Sequence, residues 1–284
     1  MTSSSPDVLA RAEADAPVAG PASSAPPEPV PRRRRWRGLR VARWVSPLAL
    51  LVIWQVLAGT GLVPASKLPS LNVVWQAAVQ VAQDGQLGEG LAVSLRRMLI
   101  GFVIGALIGG ILGVLAGLLR SADVTVDPLM QMLRNIPLFG TIPLLILWFG
   151  IGELPKIVLI AVAGAVPIYV NVYAGIREVD PRLVEATTAL GYSRAQRLVH
   201  VVLPAAVPHT LVGVRLGVAS SWLALVVAET VNADSGIGFM INNARDFLRT
   251  DIVIVGLLVY ALVGLVLDSV LRGLERWLLR WRTA

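Results

Sequence analysis

The chain has 284 residues, 55% of them hydrophobic, and a mean hydropathy of +0.70. This composition is typical of a membrane protein and excludes an ordinary soluble domain. The net charge of +7 comes largely from the two ends of the chain. It therefore indicates membrane orientation and lipid contact, and it excludes a nucleic-acid footprint. The chain has no cysteine, which excludes disulfides and thiolate metal sites.

The N-terminal region is rich in Ser, Ala and Pro as far as residue 31. Such a composition cannot bury a core, so it predicts disorder. An arginine-rich run then precedes the first apolar segment, and this arrangement anchors the adjoining end of a span in the cytoplasm. A twin-arginine or cleavable secretory signal is the competing interpretation. We predict that residues 1–43 form a disordered, basic cytoplasmic tail.

Residues 44–272 are predicted to form a transmembrane domain of six helices, because about 20 apolar helical residues cross the hydrocarbon of a bilayer. The predicted spans cover about residues 47–63, 92–119, 127–150, 154–176, 208–231 and 251–271. Surface helices are expected at 73–82 and 238–248. Residues 273–284 alternate Arg with Leu and Trp, which predicts a basic interfacial tail on the cytoplasmic leaflet. The fold class is therefore all-α membrane protein, with both termini cytoplasmic.

Glycines recur at every fourth residue in the second predicted span, at positions 101, 105, 109, 113 and 117. This spacing places them on one helix face, where the backbone of another helix can approach closely. We predict a packing role for this face.

The polar segment of residues 180–204 lies between the fourth and fifth predicted spans. Asp180 can cap a helix that begins at Pro181, and Gly191 can end it with a positive φ. Ser193 and Gln196 have the spacing of a capping box for a second helix. Pro204 is expected to end that second helix or to kink it. The pattern predicts two short, rigid helices beside the membrane, which form a docking surface.

The 180–204 segment resembles the EAA loop of the permeases of ABC importers, with the family's spacing throughout. The matching residues are Glu185, Ala186, Thr187, Gly191, Val201, Leu203 and Pro204. Thr187 stands where the family has a second Ala, and Val201 stands where it has Ile. The resemblance implies that this segment is a cytoplasmic coupling loop that packs into a cleft of a separate ATPase subunit.

The resemblance extends over about residues 45–282. The runs at 143–157, 167–186, 222–230 and 244–251 are similar to the nitrate/sulfonate/taurine branch, and the last two are most like aliphatic sulfonate permeases. It implies the small ABC importer permease fold and a homodimer in the bacterial inner membrane, with ATPase subunits and an external substrate-binding protein. The implied function is import of a small organic anion by alternating access. Aliphatic sulfonates are the first expectation, and taurine, nitrate or a thiamine or riboflavin precursor is the alternative.

A secondary transporter or channel without an ATPase is the alternative from another class. The docking motif and the lack of a visible inverted repeat argue against it. The chain has no Gly-x-x-x-x-Gly-Lys-Ser/Thr loop for phosphate and no catalytic constellation. We therefore expect no enzyme activity, no cofactor and no metal in this subunit. His200 and His209 are interpreted as structural.

Ionisable residues inside spans are costly and often functional. Candidates for a translocation path are Arg134 and Glu229, with Asn135, Ser220, Ser221 and Trp222 as polar or amphipathic neighbours. For Arg215 and Asp268 packing or interface roles are expected. Two further arginines, Arg96 and Arg97, do not fit the orientation. Either the second span begins elsewhere, or these side chains face an aqueous vestibule that would suit an anionic cargo.

Overall fold

The computed structural model of the protein describes residues 39–61 and 63–280. Most of the predicted tail at 1–43 and the last four residues of the predicted C-terminal tail lie outside these ranges. The chain divides into two compact units, residues 1–50 and 51–284. The described part of the first unit is helical.

Every regular element in the described ranges is helical, in agreement with the predicted fold class. In chain order the elements are α1 (Leu39–Gly59), α2 (Leu71–Gln83), α3 (Gln86–Leu118), α4 (Arg120–Asn135), a 3-10 turn (Leu138–Thr141), α5 (Ile142–Phe149), α6 (Glu153–Arg177), α7 (Pro181–Ala189), α8 (Arg194–Arg197), a π-helical turn (Leu198–Val202), α9 (Leu203–Asn232), α10 (Ile237–Asp246) and α11 (Thr250–Leu278). The helices expected at 73–82 and 238–248 correspond to α2 and α10.

Four described helices are long and apolar enough to cross a membrane: α3, α6, the continuous helix Arg194–Val231, and α11. The bent pair formed by α4 with the Leu138–Phe149 helix would make a fifth span. The first predicted span falls on α1, whose apolar part, Leu48–Gly59, is shorter than the ~20 residues that a crossing requires. Helix length and composition in the described ranges therefore support four or five spans, one or two fewer than the six expected.

The third predicted span, 127–150, is wrong as a single helix. The chain bends by 92° between α4 and the Leu138–Phe149 helix. Ile136 has φ −74° and ψ 128°, an extended conformation, because the ring of Pro137 disfavours helical geometry in the residue before it. The two halves therefore point in different directions, and their junction is an irregular turn.

The centre of the second unit is formed by α6, which packs between α3 and α9. The predicted glycine face of α3 lies against α6. A methyl group added at Gly105 or Gly109 would overlap the backbone carbonyl oxygen of Ala161 or Ala165. This confirms the packing role, because only glycine lets the two backbones come so close. The main buried cluster, which includes Ile160, takes residues from these three helices and also from α2, α5, α10 and α11.

Candidate functional sites

The 180–204 segment is folded, and its first helix, α7, is capped at both ends as the sequence predicts. The Asp180 side chain accepts a hydrogen bond of 2.9 Å from the backbone N–H of Arg182. At the other end of α7, Gly191 has φ +78°. Its N–H donates to the Thr188 carbonyl at 3.0 Å, and the Tyr192 N–H donates to the Thr187 carbonyl at 3.0 Å. This pair of bonds is the Schellman arrangement, which satisfies the last carbonyls of a helix.

The second helix of the segment begins with the predicted capping box. The Ser193 N–H donates to Gln196 Oε1 at 2.8 Å, and the Gln196 N–H donates to Ser193 Oγ at 3.3 Å. The guanidinium of Arg197 donates to Thr188 Oγ1 at 2.6 Å and so ties α8 back to α7. The hydroxyl of Thr187, which replaces an alanine of the family pattern, donates to the Leu183 carbonyl at 2.9 Å. This departure is therefore satisfied inside its own helix.

Of the two alternatives expected for Pro204, an end of the second helix is wrong, and a local disruption of a continuous helix agrees with the structure. Helical structure continues from α8 through the π-helical turn Leu198–Val202 into α9. A proline removes one helical hydrogen bond and crowds the carbonyl four residues earlier, here that of His200. His200 lies in the π turn, and such turns commonly accompany local disruption of a helix. The second helix and the following span are therefore one continuous element.

The outer surface of the 180–204 segment has no partner within the described chain. No residue of α7 is buried. Leu183, Leu190 and Tyr192 are 52%, 75% and 42% exposed, and the carboxylate of Glu185 makes no hydrogen bond or ion pair to any described residue. Exposed apolar groups beside an unpaired acid, on a segment whose backbone is otherwise well satisfied, are typical of a protein-binding surface.

A second site lies at the opposite end of α9, where Glu229 is completely buried. Its carboxylate accepts hydrogen bonds from Ser94 Oγ at 2.8 Å, Arg97 Nη1 at 2.7 Å, Tyr260 Oη at 2.8 Å and the Gly238 N–H at 3.1 Å. These donors come from α3, α10 and α11. The carboxylate therefore joins four helices, and its oxygens are already occupied by donors of the protein itself.

The partner of Glu229 is Arg97, which is 3% exposed. Its guanidinium also donates to both carboxylate oxygens of Glu153 at 2.6 Å and to the carbonyl and hydroxyl of Ser235 at 2.6 and 2.7 Å. Lys156 Nζ donates to Glu153 at 3.0 Å, and Asp234 lies 3.7 Å from both cations. A buried charge is tolerated when it is paired and fully hydrogen-bonded, and this cluster meets that condition.

This ionic cluster contains one of the two arginines that did not fit the predicted orientation. The helix α3 begins at Gln86, before the predicted start at residue 92. Arg97 is buried, whereas Arg96 is exposed. Both residues line one surface cavity of about 370 Å³, together with Glu153 and Asp234. Sequence reasoning missed Ser94 as a partner. Ser94 and Arg97 lie on the same face of α3 as Gly101 and Gly105, because these positions are three or four residues apart. The sequence could therefore have predicted that both side chains point towards the neighbouring helices.

The remaining residues of the predicted translocation path differ in their surroundings. Ser221 is buried and donates to the Ile160 carbonyl at 3.2 Å, and Trp222 Nε1 donates to the Tyr260 carbonyl at 3.2 Å. Arg134 and Ser220 instead line one cavity of about 280 Å³. Asn135 is exposed, and its amide donates to the Gln131 carbonyl of its own helix at 2.9 Å.

The residues for which packing roles were expected do pair with one another. Arg215 Nε lies 3.0 Å from Asp268, which also pairs with Arg272 at 2.8 Å. His209 Nε2 lies 3.1 Å from Glu178, and His200 Nδ1 lies 3.0 Å from the Gln196 carbonyl. These contacts agree with structural roles for all four predicted residues.

Sequence reasoning also missed a set of ties between α4 and α6 beside the 180–204 segment. Tyr169 Oη donates to Asp127 at 3.0 Å, and Tyr173 Oη donates to Asp123 at 2.8 Å. The guanidinium of Arg177 donates to the second carboxylate oxygen of Asp123 and lies over the Tyr173 ring. The end of α6 that leads into the 180–204 segment is therefore fastened to the first half of the bent pair.

Comparison with known proteins places the chain in a family. Residues 90–280 match the family described as binding-protein-dependent transport system inner membrane component. The chain is 45% identical over 251 residues to an Escherichia coli protein named as an aliphatic sulfonates transport permease, SsuC, with 88% of this chain and 95% of that protein covered. It is 36% identical to the taurine transport system permease protein TauC of Escherichia coli, with 88% and 94% covered.

Among solved structures, an inward-facing form of the MetNI methionine ABC transporter has a chain that aligns with a TM-score of 0.54. The two are 21% identical, and the alignment covers 68% of this chain and 97% of the other. At this identity the likeness shows the fold alone. The extent of the family match and the identity to whole-length relatives show that the chain belongs to the binding-protein-dependent transport system inner membrane components.

Proposed function

We propose that this protein is the permease subunit of an ATP-driven importer, and that it moves aliphatic sulfonates by alternating access. The observation that carries the proposal is the 180–204 segment, a rigid, exposed helical pair that continues without interruption into a membrane-length helix. The chain has no phosphate-binding loop of its own. The energy for transport would therefore come from ATP hydrolysed by a partner that docks on this segment.

The internal bonding of the segment supports its role as a mechanical connector. Both ends of α7 are capped, and Arg197 fixes α8 to α7. The helix from Arg194 to Val231 is 38 residues long. A displacement of its Arg194 end therefore acts on the whole span. A flexible loop would absorb such a displacement, whereas capped helices pass it on.

The chemistry of the exposed surface supports an ATPase subunit as the partner. Glu185 offers an unpaired carboxylate, and apolar contacts are offered by Leu183 on the same helix and by Leu190 directly after it. An interface commonly combines a few buried apolar anchors with charged groups that fix the register. Of the family's motif, Glu185, Ala186 and Thr187 lie in α7, and Gly191 ends that helix. Val201 lies in the π-helical turn, and Leu203 and Pro204 begin α9.

The orientation follows from the charges around the 180–204 segment. Arg177, Arg182, Arg194 and Arg197 lie in or beside it, and positive residues are retained on the cytoplasmic side of membranes. We therefore place this segment and both termini in the cytoplasm, with the Arg97–Glu229 cluster towards the outer face. The family's dependence on a binding protein supports an external partner at that face, and we propose a homodimer as the functional unit.

The docking proposal is tested by Glu185→Lys in the full importer, with Glu89→Lys as the matched control. Glu89 is an exposed acid at the start of α3, which our orientation places on the opposite side of the membrane. We expect Glu185→Lys to reduce the ATPase activity that copurifies with the tagged permease, and the uptake, by more than about tenfold. That loss corresponds to removal of one charged contact. Equal copurification with both variants would contradict the proposal.

The cargo is tested by growth on a single alkanesulfonate as the only sulfur source, with and without the gene. We expect growth to depend on the gene for short alkanesulfonates. Taurine as the sulfur source and nitrate as the nitrogen source are parallel arms. If growth depends on the gene only with taurine or only with nitrate, that compound is the cargo and aliphatic sulfonates are not. The assignment as a permease would be unaffected.

A further inference from the structure

A cavity of about 280 Å³ lies where the third predicted span breaks. It is bounded by the end of α4, the 3-10 turn, and the middle of α6 and α9: Arg134, Phe139, Pro167, Ser220 and Leu223 are among its lining residues. Pro167 and Ser220 are well inside two helices that cross the membrane. In transporters, helices that break at this depth commonly form the substrate site.

Arg134 lies in the last turn of α4, where its side chain is exposed and its charge is unpaired among the described residues. Arg97 pairs with Glu153 and Glu229, and Arg215 pairs with Asp268. Arg134 forms no ion pair or hydrogen bond to any residue of the described ranges. A cation in a membrane span is costly unless it meets an anion, a carbonyl or water, so an unpaired guanidinium beside a cavity indicates a site for an anion.

The hydroxyl of Ser220 is also without a partner. A serine inside a helix usually donates to the carbonyl four residues earlier, as Ser269 does to Leu265 at 2.7 Å. Ser220 makes no such bond within the described chain. The two polar side chains that line the cavity are therefore both free to bind a ligand, and both can donate hydrogen bonds.

The other walls of the cavity are apolar and include Phe139, Val166 and Leu223. A guanidinium presents a planar set of donors that suits the oxygens of an oxyanion. Apolar walls gain free energy only when they cover apolar ligand surface, so an inorganic anion such as nitrate would leave them unused. The volume is below the ~300–1,000 Å³ of pockets that hold drug-sized ligands, which favours a short carbon chain.

We infer that this cavity is the cargo site of the permease. Arg134 and Ser220 bind the oxyanion head of a short alkyl anion, and Phe139, Val166 and Leu223 contact its tail. The inference rests on the proposed function, to which it adds the residues that select the cargo. The inference also explains the break between α4 and α5. An unbroken helix would not bring Arg134 and Phe139 to the same cavity.

The test measures uptake by the complete importer in vesicles, with ethanesulfonate and hexanesulfonate as the cargo. We expect Arg134→Gln to reduce the uptake of both by about ten- to hundredfold, the factor for a charge-assisted hydrogen bond. Arg134→Lys should retain more of the uptake than Arg134→Gln, because it keeps the charge. The control is Arg120→Gln, which removes an exposed arginine from the other end of α4 and should leave uptake unchanged.

A second variant tests whether the apolar walls contact the alkyl chain of the cargo. Ala163 also lines the cavity, and Ala163→Leu would occupy part of its apolar volume. We expect this variant to lose the uptake of hexanesulfonate at least about tenfold more than that of ethanesulfonate, the discrimination that a few methylenes give in an apolar pocket. ATPase activity that copurifies with each variant shows whether the importer is folded and assembled.

The outcomes separate the two proposals. If the unmodified importer takes up neither alkanesulfonate, the proposed cargo is wrong and this inference falls with it. If it takes them up and Arg134→Gln behaves like Arg120→Gln, the cargo stands and the inference is wrong. If Ala163→Leu reduces the uptake of both alkanesulfonates equally while the ATPase still copurifies, the apolar walls do not contact the alkyl chain of the cargo.

Discussion

Removing the charge of Glu229 should destabilise the permease more than any comparable change at its surface. In Glu229→Gln an amide NH2 replaces one carboxylate oxygen. At the first oxygen it would face the Arg97 guanidinium 2.7 Å away, and at the second it would face the Gly238 N–H at 3.1 Å. Neither of these groups can accept a hydrogen bond. The hydroxyls of Tyr260 and Ser94 can accept from the amide at the second position. In either orientation, however, one buried donor loses its acceptor: the Arg97 guanidinium or the Gly238 N–H.

The expected cost follows from these contacts. An unsatisfied buried donor costs about 1–3 kcal/mol, and breaking a buried ion pair costs about 3–5 kcal/mol. Arg97 keeps Glu153 as a second partner, so we take the low end, about 3 kcal/mol. For a chain of this size each kcal/mol lowers the melting temperature by about 2–4 °C. The expected decrease is therefore on the order of 6–12 °C.

The assay is thermal unfolding of the purified protein in detergent, with Glu89→Gln as the matched control because Glu89 is exposed. The control should melt within about 1 °C of the unmodified protein, since surface substitutions have small effects. Combining Arg97→Met with Glu229→Met should cost less than the sum of the single changes, because no buried charge is then left without its main partner. A melting temperature of Glu229→Gln equal to that of Glu89→Gln would refute the reasoning.

Two further predictions concern helix packing and the rigidity of the 180–204 segment. Gly105→Ala should cost about 1–3 kcal/mol in thermal unfolding, because its methyl overlaps a backbone carbonyl of α6. Gly110→Ala, with nothing within 4 Å of the added methyl, should be neutral or stabilising, and equal effects of the two changes would contradict the proposed packing. Ser193→Ala should weaken the second helix by about 1 kcal/mol and speed hydrogen exchange at residues 194–197, whereas Ser193→Asp should not. Unchanged exchange in Ser193→Ala would show that the cap does not hold the segment.

The caps of the 180–204 segment could be predicted from sequence because they depend on neighbours a few residues apart. Asp180, Gly191 and the pair Ser193 and Gln196 each have the contacts that their spacing predicts. The helical break at Pro137 had an equally local signal, since a proline restrains the residue before it. It was missed because the apolar run on both sides of Pro137 was interpreted as one span.

The partners of the charged residues could not be predicted in the same way. Arg97 and Glu229 are 132 positions apart in the chain, and no spacing rule connects residues on different helices. The same holds for Arg134 and Ser220, which meet at one cavity only because α4 breaks beside the middle of α9.

The amino-acid sequence by itself determined which stretches are apolar, where helices are capped, and which family the chain resembles, because these properties are local or are shared along the whole chain. The tertiary structure alone decided which charges pair with each other across helices and which do not. Packing depends on distances between helices, and this packing pairs Arg97 with Glu153 and Glu229. It brings no partner among the described residues to Arg134.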